Sequence, residues 1–501
     1  MQVLLAAAVA LNAAAAMVLE IAAGRLLAPY FGMSLYTWTT VIGVVLAGLA
    51  AGHWLGGRLA GATGRRLTNR LAGAFWSGAL TSALVLPILA LVVGQSGLRA
   101  LPPAPAIALS GFAAFFLPSL LAGLVQPIAT KLALERTGHV SGRVIGRMLA
   151  MGALGSILGT FLAGFVLISF VGSAGTVWLV AGTNAILGAV FMRRWAALAV
   201  VAAVAVVSTG LLSGVVPYPA ALRTPCDRES QYFCIQIDPA DDLVGVTSRL
   251  MALDHLVHSI NVRDDPRLLP SPYLHLVDEI ALARFPDGPR RAFFVGGGGF
   301  ILPRAWHDRW PRADLVVAEI DPVVTALAQS ELWVDPGPTM TVLERDARVA
   351  LDLEGGGYDV IFGDAFRDIA IPAHLVSREF HDLVAARLSD RGFYIMNVVD
   401  NPQRPRLLAS LVRTLRQSFP EVEAWVSPED IEGARRATFI LYAAARPSGL
   451  ARQLLSQEGF ERFWARIDLS RLPVDALGLE LTDDLAPVDR LLGDLWFRGE
   501  E

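Results

Sequence analysis

The chain has 501 residues, 54% of them hydrophobic, with a mean hydropathy of +0.49 and a formal net charge of −4. The length exceeds one ordinary domain and the hydropathy exceeds a soluble average, which excludes a purely soluble globular protein. Residues 1–216 hold 12 Lys and Arg against only Glu20 and Glu135, a net of +10, whereas the remainder carries −14. No basic stripe or aromatic platform of the kind that binds nucleic acid occurs.

Seven apolar stretches, near 2–28, 35–59, 71–94, 104–133, 145–171, 174–192 and 195–215, predict a multi-pass transmembrane domain over 1–216. Each approaches the ~20 residues that cross a bilayer core. The first is not read as a cleavable signal peptide, because it lacks a basic start and runs straight on into "EIAAGRLLAPYFG". Arg65, Arg66 and Arg70 lie between stretches two and three, Arg136, Arg143 and Arg147 between four and five, and Arg193 and Arg194 between six and seven. The positive-inside rule assigns these connections and the N-terminus to the cytoplasm. Seven crossings of a plasma (inner) membrane then leave the second half outside.

Within the spans, Arg25 and Lys131 lie near ends and read as snorkelling side chains, while Glu20 and His53 lie deeper and read as polar contacts. Gly155, Gly159 and Gly164 read as close helix packing. Past the last span, the spacing of Cys226 and Cys234 permits a disulfide, and the alternative is two unrelated small residues.

Residues 217–275 read as a small antiparallel β-subdomain, from "SQYFCIQI", "VTSRLMAL" and "HLVHSIN". From 276 to 501 short buried-strand runs ("RAFFVGGGG", "DLVVAEID", "MTVLERDA", "YDVIFGDAF", "GFYIMNVV") alternate with helical stretches. That rhythm predicts a doubly wound, Rossmann-like parallel sheet, whose ligands bind at the carboxyl ends of the strands.

Those ends carry the candidate nucleoside site. Gly296, Gly297, Gly298 and Gly299 follow the first strand, where a backbone without side chains can approach a ligand. Glu319 closes the second strand about twenty residues on, where an acid can take both ribose hydroxyls, with Asp321 just beyond it. Asp346, beside small Ala347, suits an adenine edge and a flat ring, and Asp364 faces the same crevice. Each acid alone also reads as a helix N-cap. Thr482, Asp483 and Asp484 before Pro487 read first as such a cap. His255, His258 and His275 read as solvated or core histidines, since no zinc-type spacing accompanies them, and no metal is expected.

"VGGGG…AEID…RDA…YDVIFGDAF" resembles the spermidine synthase type of the class I methyltransferase fold, within the polyamine aminopropyltransferase family. "LMALDHLVHS" resembles that family's Leu-Asp-Gly-x-x-Gln hairpin. Residues 1–215 resemble the membrane region of fused transporter/spermidine synthase proteins, and "GRLAGATGRR" resembles a cytoplasmic loop of major facilitator transporters. "LTDDLAPVDRLL" is similar to a closing motif of the fused proteins.

The resemblance implies a transferase using S-adenosylmethionine or its decarboxylated form as donor and a small amine as acceptor. Asp364, Tyr273 and His258 would then serve catalysis. It also exposes departures. The family's glycine run carries an Asp that grips the donor's aminopropyl ammonium, where this chain has Gly299. The family's Asp-Ser-Ser-Asp-like loop becomes "DAFRD", with Arg367 in the second acid's place and Asp368 one position late. Methyl transfer is therefore the alternative chemistry. A transport or sensing protein with a nucleoside-binding but inactive domain is the alternative class. The lipid bilayer and the amine are the expected partners, and oligomerisation stays open. An outside location also conflicts with the absence of any obvious donor supply there.

Overall fold

The computed structural model describes residues 2–93, 101–136, 141–192, 224–431, 434–456 and 462–497. The chain forms two compact units, Met1–Cys234 and Ile235–Arg498. The first is helical, with α1 Gln2–Phe31, α2 Leu35–Leu59, α3 Gly64–Ala83, α4 Val85–Val93, α5 Pro103–Glu135 and α6 Gly142–Leu162. A π-helical turn, Ala163–Leu167, carries α6 into α7, Ile168–Met192.

Among the described residues four helices are long and apolar enough to cross a membrane, or five if α3 and α4, bent by 41°, form one span. The stretch Gly142–Met192, 51 residues, is among the four. At 1.5 Å per residue a straight helix of that length would run about 76 Å, over twice the ~30 Å of a bilayer core. It breaks at Gly172, whose φ of 77° and ψ of 167° are not helical. The seventh expected stretch, 195–215, lies outside the described residues.

Helix α6 lies against α1 closely enough that a Cβ on Gly155 or Gly159 would come within 2.0 Å of the Ala10 carbonyl oxygen or 2.4 Å of that of Ala14. Gly164, read in the same way, has open space instead. Arg25 does not snorkel. It is 8% exposed, and its guanidinium donates to the carbonyls of Tyr232 (2.5 Å) and Ser230 (3.0 Å). Lys131 is 3.8 Å from Glu135, one turn on. His53, expected in a polar contact, is exposed on the helix surface.

The segment that holds Arg25 leads out of the helical unit and includes the two-residue strand β1, Arg228–Glu229. Glu229 accepts from the Ser173 amide (2.9 Å), at the broken start of α7, and from the Thr224 hydroxyl (3.0 Å). Cys226 and Cys234 are joined in a disulfide across this segment.

The second unit opens with β2 Cys234–Pro239, β3 Ser248–Leu253 and β4 Leu256–Val262, paired antiparallel. Its main sheet has nine strands: β5 Arg291–Val295, β6 Asp314–Glu319, β7 Met340–Glu344, β8 Tyr358–Gly363, β9 Leu388–Asp400, β10 Glu421–Val426, β11 Ala437–Ala444, β12 Gln453–Ser456 and β13 Arg462–Arg466. Their order is β12-β13-β10-β11-β9-β8-β5-β6-β7. Strands β5 to β9 run parallel, so the strand ends that bear the candidate residues share one edge. The expectation of a parallel sheet is corrected beyond β9, where β11, β10 and β13 pair antiparallel and make the sheet mixed. Residues 427–436 between β10 and β11 are too few for the crossover that parallel neighbours need.

Helix α8 (Pro272–Arg284) precedes β5, and α9 (Ile301–Arg309), α10 (Pro322–Glu331) and α11 (Ala347–Leu353) follow β5, β6 and β7. Helices α12 (Arg378–Arg387) and α13 (Arg406–Ser418) flank β9. Both Phe293 and Phe294, on opposite faces of β5, are fully buried, as expected of a central strand covered on two sides. Strand order reverses between β5 and β8, which opens a crevice at their carboxyl ends.

Candidate active site

A cavity of about 240 Å³ occupies that crevice, lined by the glycine loop Gly296–Gly299, by Tyr273 and His258, and by Asp364, Asp368 and Asn397. The loop turns sharply. Gly296 and Gly298 have φ of 95° and 49°, and a Cβ on Gly296 would come 2.7 Å from the Asp364 carbonyl oxygen. Only glycine permits both the left-handed backbone and that approach.

Asp364 follows the last residue of β8 and is held on both oxygens. The Tyr273 hydroxyl donates to one (2.7 Å) and the Asn397 amide to the other (2.9 Å). Burial pushes its carboxyl up to about 6, against the pull of those two donors. Burial, and then the Asp364 charge, push Tyr273 well above its ordinary value, so its proton stays on the phenol. Asp364 thus sits in place as an ionisable acceptor whose proton affinity lies near working pH.

Asp368 is the second acid in the cavity. Arg367 and Ala370 close a tight turn by exchanging backbone hydrogen bonds (2.8 and 3.3 Å), and Asp368 stands second in it at φ 63°. That left-handed residue turns the carboxylate inward, while Arg367 stays exposed. Asp368 is 5% exposed, and neither carboxylate oxygen has a hydrogen-bond partner among the described residues. His255 Nε2 stands 3.4 Å away. Burial holds His255 down to about 4, with the Arg436 and His258 charges acting in the same direction, so the contact is no ion pair at neutral pH. Burial, then Asp254, pushes Asp368 up to about 8. At neutral pH that carboxyl is largely protonated, and a cation bound beside it would draw its proton affinity back down. His258 lines the same wall, its Nδ1 2.9 Å from the Leu256 carbonyl, and burial lowers its basicity.

The other expected acids are engaged by the protein itself. Glu319 is 6% exposed and accepts from the amides of Gly297 and Gly298 (both 2.9 Å) and Asp321 (3.0 Å). Burial raises its proton affinity more than these three donors lower it. Three of roughly four acceptor directions of a carboxylate are thereby taken. Asp321 caps α10 through the Val323 amide (3.0 Å). Asp346 caps α11 through the Val349 amide (3.1 Å) and meets His374 Nε2 at 2.7 Å, a contact that holds its carboxyl below the usual range. Ala347 is buried as the first residue of α11. These four residues lie outside the cavity wall.

Thr482 is not a helix cap. Its hydroxyl accepts from the Leu485 amide (3.2 Å) in a tight turn, and Asp483 pairs with both terminal nitrogens of Arg348 (2.7 and 2.8 Å). Among the described residues no group of three His, Cys, Asp or Glu is placed to hold an ion.

Sequence reasoning missed Asn397, whose signal was a lone amide in the apolar run "GFYIMNVV", and the inward turn of Asp368. It also missed why residue 299 is glycine. A Cβ there would come 2.1 Å from Ser259 Oγ and 2.6 Å from Asn261 Oδ1, both on β4.

No family model matches the chain. A polyamine aminopropyltransferase of Corynebacterium efficiens is 30% identical over 339 residues, covering 62% of this chain and 61% of the relative. A polyamine aminopropyltransferase of Vibrio vulnificus is 34% identical over 129 residues, covering 25% of this chain and 42% of the relative. The crystal structure of a probable spermidine synthase from Corynebacterium glutamicum aligns with a TM-score of 0.46 at 19% identity, covering 52% of this chain and 96% of that one. The chain is thus homologous to polyamine aminopropyltransferases and spans less than two thirds of the length of these curated relatives.

Proposed function

We propose that this chain is a membrane-anchored transferase of the spermidine synthase type, moving a carbon group from the sulfonium of an S-adenosylmethionine-derived donor to a small amine. The observation that carries this reading is one cavity joining a glycine loop to two carboxyls, a half-buried one held by Tyr273 and Asn397 and a buried one without a hydrogen-bond partner among the described residues. The glycine loop, braced by Glu319, takes the nucleoside. Asp368 receives the acceptor's ammonium, with His258 and Tyr273 on the same wall. The amine lone pair attacks the carbon beside the sulfonium. The C–N bond forms as the C–S bond breaks, its electron pair stays on sulfur as a neutral thioether, and Asp364 takes the amine's proton. The Tyr273 and Asn397 hydrogen bonds keep that carboxylate aimed, which is the positional part of general base catalysis.

The helical unit anchors the enzyme in a bilayer, with the N-terminus cytoplasmic and the catalytic unit outside. Three arginine-bearing connections support this orientation, as does the disulfide, which persists in oxidising compartments. The path of the chain adds an independent reason. The exit segment is bonded to Arg25 near the end of α1 and to Ser173 at the start of α7. A reporter active only in the cytoplasm, fused at the C-terminus, should stay silent, and its activity would reverse the orientation.

The test of activity is product analysis of the full chain in lipid nanodiscs with putrescine and either donor. The expected result is a thioether nucleoside and a modified amine in equal amounts. Absence of both products with both donors would overturn the reading.

A further inference from the structure

A second cavity, of about 430 Å³, adjoins the active-site cavity, and the two share Tyr273, Arg436 and Thr438 in their walls. Arg436 immediately precedes β11 and Thr438 is the second residue of that strand, so the pleat turns both to one face. Thr438 pairs with Val399 on β9, which also lines the active-site cavity. Among the described residues that line either cavity, Arg436 is the one lysine or arginine. It is exposed, and no hydrogen bond or ion pair engages it among the described residues. Its charge acts on Asp368 and on His255, which places it at the acceptor end of the active-site cavity. The outer cavity also carries Glu429 and Asp430, and both already have partners within the protein.

Asp364 and Asp368 serve the reacting amine, which leaves the far end of a short acceptor at the junction with Arg436. A second ammonium there would be repelled by the guanidinium and would find no acid of its own. A carboxylate or phosphate would find the planar fork of donors that binds such groups in pairs of hydrogen bonds. We infer that the acceptor is an amine carrying an anionic group, a carboxylate or a phosphate, at its far end, and that Arg436 selects it. This deepens the transferase reading and rests on it. The bond changes are those already written. The acceptor nitrogen gains the carbon, sulfur keeps the electron pair and Asp364 takes the proton, while the anionic group only holds the acceptor in place.

Acceptors of matched length, compared on the full chain in nanodiscs, test this. The molecules γ-aminobutyrate and putrescine differ at one end only, where one carries a carboxylate and the other an ammonium. With either donor, γ-aminobutyrate or phosphoethanolamine should exceed putrescine about tenfold in kcat/KM, the scale of one hydrogen-bonded charged contact. Whichever of the two leads identifies the anion. Arg436→Gln should erase the preference, Arg436→Glu should invert it, and Arg436→Lys, which keeps the charge, should retain part of it. Methylthioadenosine affinity and melting temperature should not change in these variants, because Arg436 is exposed. If putrescine leads tenfold in the parent chain, or Arg436→Gln leaves the ratio unchanged, the anionic acceptor is wrong and the transferase reading stands. A lead for spermidine, the longer polycation, is equally against it and would assign the outer cavity to a further ammonium. No product from any of these acceptors with either donor overturns the transferase reading itself.

Discussion

The acids that line the cavity and those set behind it are used differently. Behind the cavity wall, Glu319, Asp321 and Asp346 are engaged by backbone amides or by His374, and they brace a loop or cap a helix. On the cavity wall, Asp364 is held by two side chains, and the Asp368 carboxylate has no hydrogen-bond partner among the described residues. In the sequence all five are acids at or just past the end of a strand. Surroundings separate them: an acid whose oxygens are filled by backbone amides shapes the site, and one that lines the cavity can meet a substrate.

The sharpest test of that division is Asp364→Asn, which keeps the shape and removes the proton acceptor. It should lower kcat/KM by about 10²–10⁴-fold with methylthioadenosine affinity intact, by steady-state kinetics and calorimetry. The pH profile belongs to the same residue. With its carboxyl near 6, the parent kcat/KM should fall as pH drops through that value, because the protonated acid cannot accept the amine's proton. A flat profile between pH 5 and 7 would remove Asp364 from the chemistry.

Glu319→Ala comes next. Losing the brace on two glycine amides should weaken methylthioadenosine by roughly 10–100-fold, about 1.5–3 kcal/mol for a charged acceptor, and lower the melting temperature as well. Equal affinity would mean that the loop holds its shape without the brace.

Asp368→Asn should raise KM for the amine about tenfold and leave nucleoside affinity unchanged. It should not destabilise the fold, since asparagine tolerates a left-handed backbone and carries no charge to bury. A melting temperature several degrees lower would instead make Asp368 a structural residue.

Asp346→Ala should have the smallest effect. It should cost about 1 kcal/mol of stability, as the loss of a helix cap does, with binding unchanged by calorimetry. A large loss of nucleoside affinity would instead place Asp346 in the ligand site.

Much of the sheet was legible because its central strands are buried on both faces and read as unbroken apolar runs, as in "AFFV" and "VIF". The glycine loop and the acids at the strand ends followed from that frame. The antiparallel edge was not legible by rhythm, since the length of one short connection decides it. The β4 contact with Gly299 joins residues 38 apart through separate sheets, so no local pattern announces it. Asp368 was visible as an acid displaced by one position. A single left-handed residue decides where such a side chain points, and periodicity does not encode that.

The tight turn at Asp368 also bears on how this site can drift. Its backbone favours glycine, asparagine and aspartate, and the ammonium favours aspartate or glutamate, so the two requirements overlap at one residue. The codons of aspartate and asparagine differ by a single base. One transition could therefore silence the acceptor side while leaving the turn and the cavity wall standing. Among related chains, loss of the proposed activity should then appear as asparagine or glycine at this turn, in proteins that still fold.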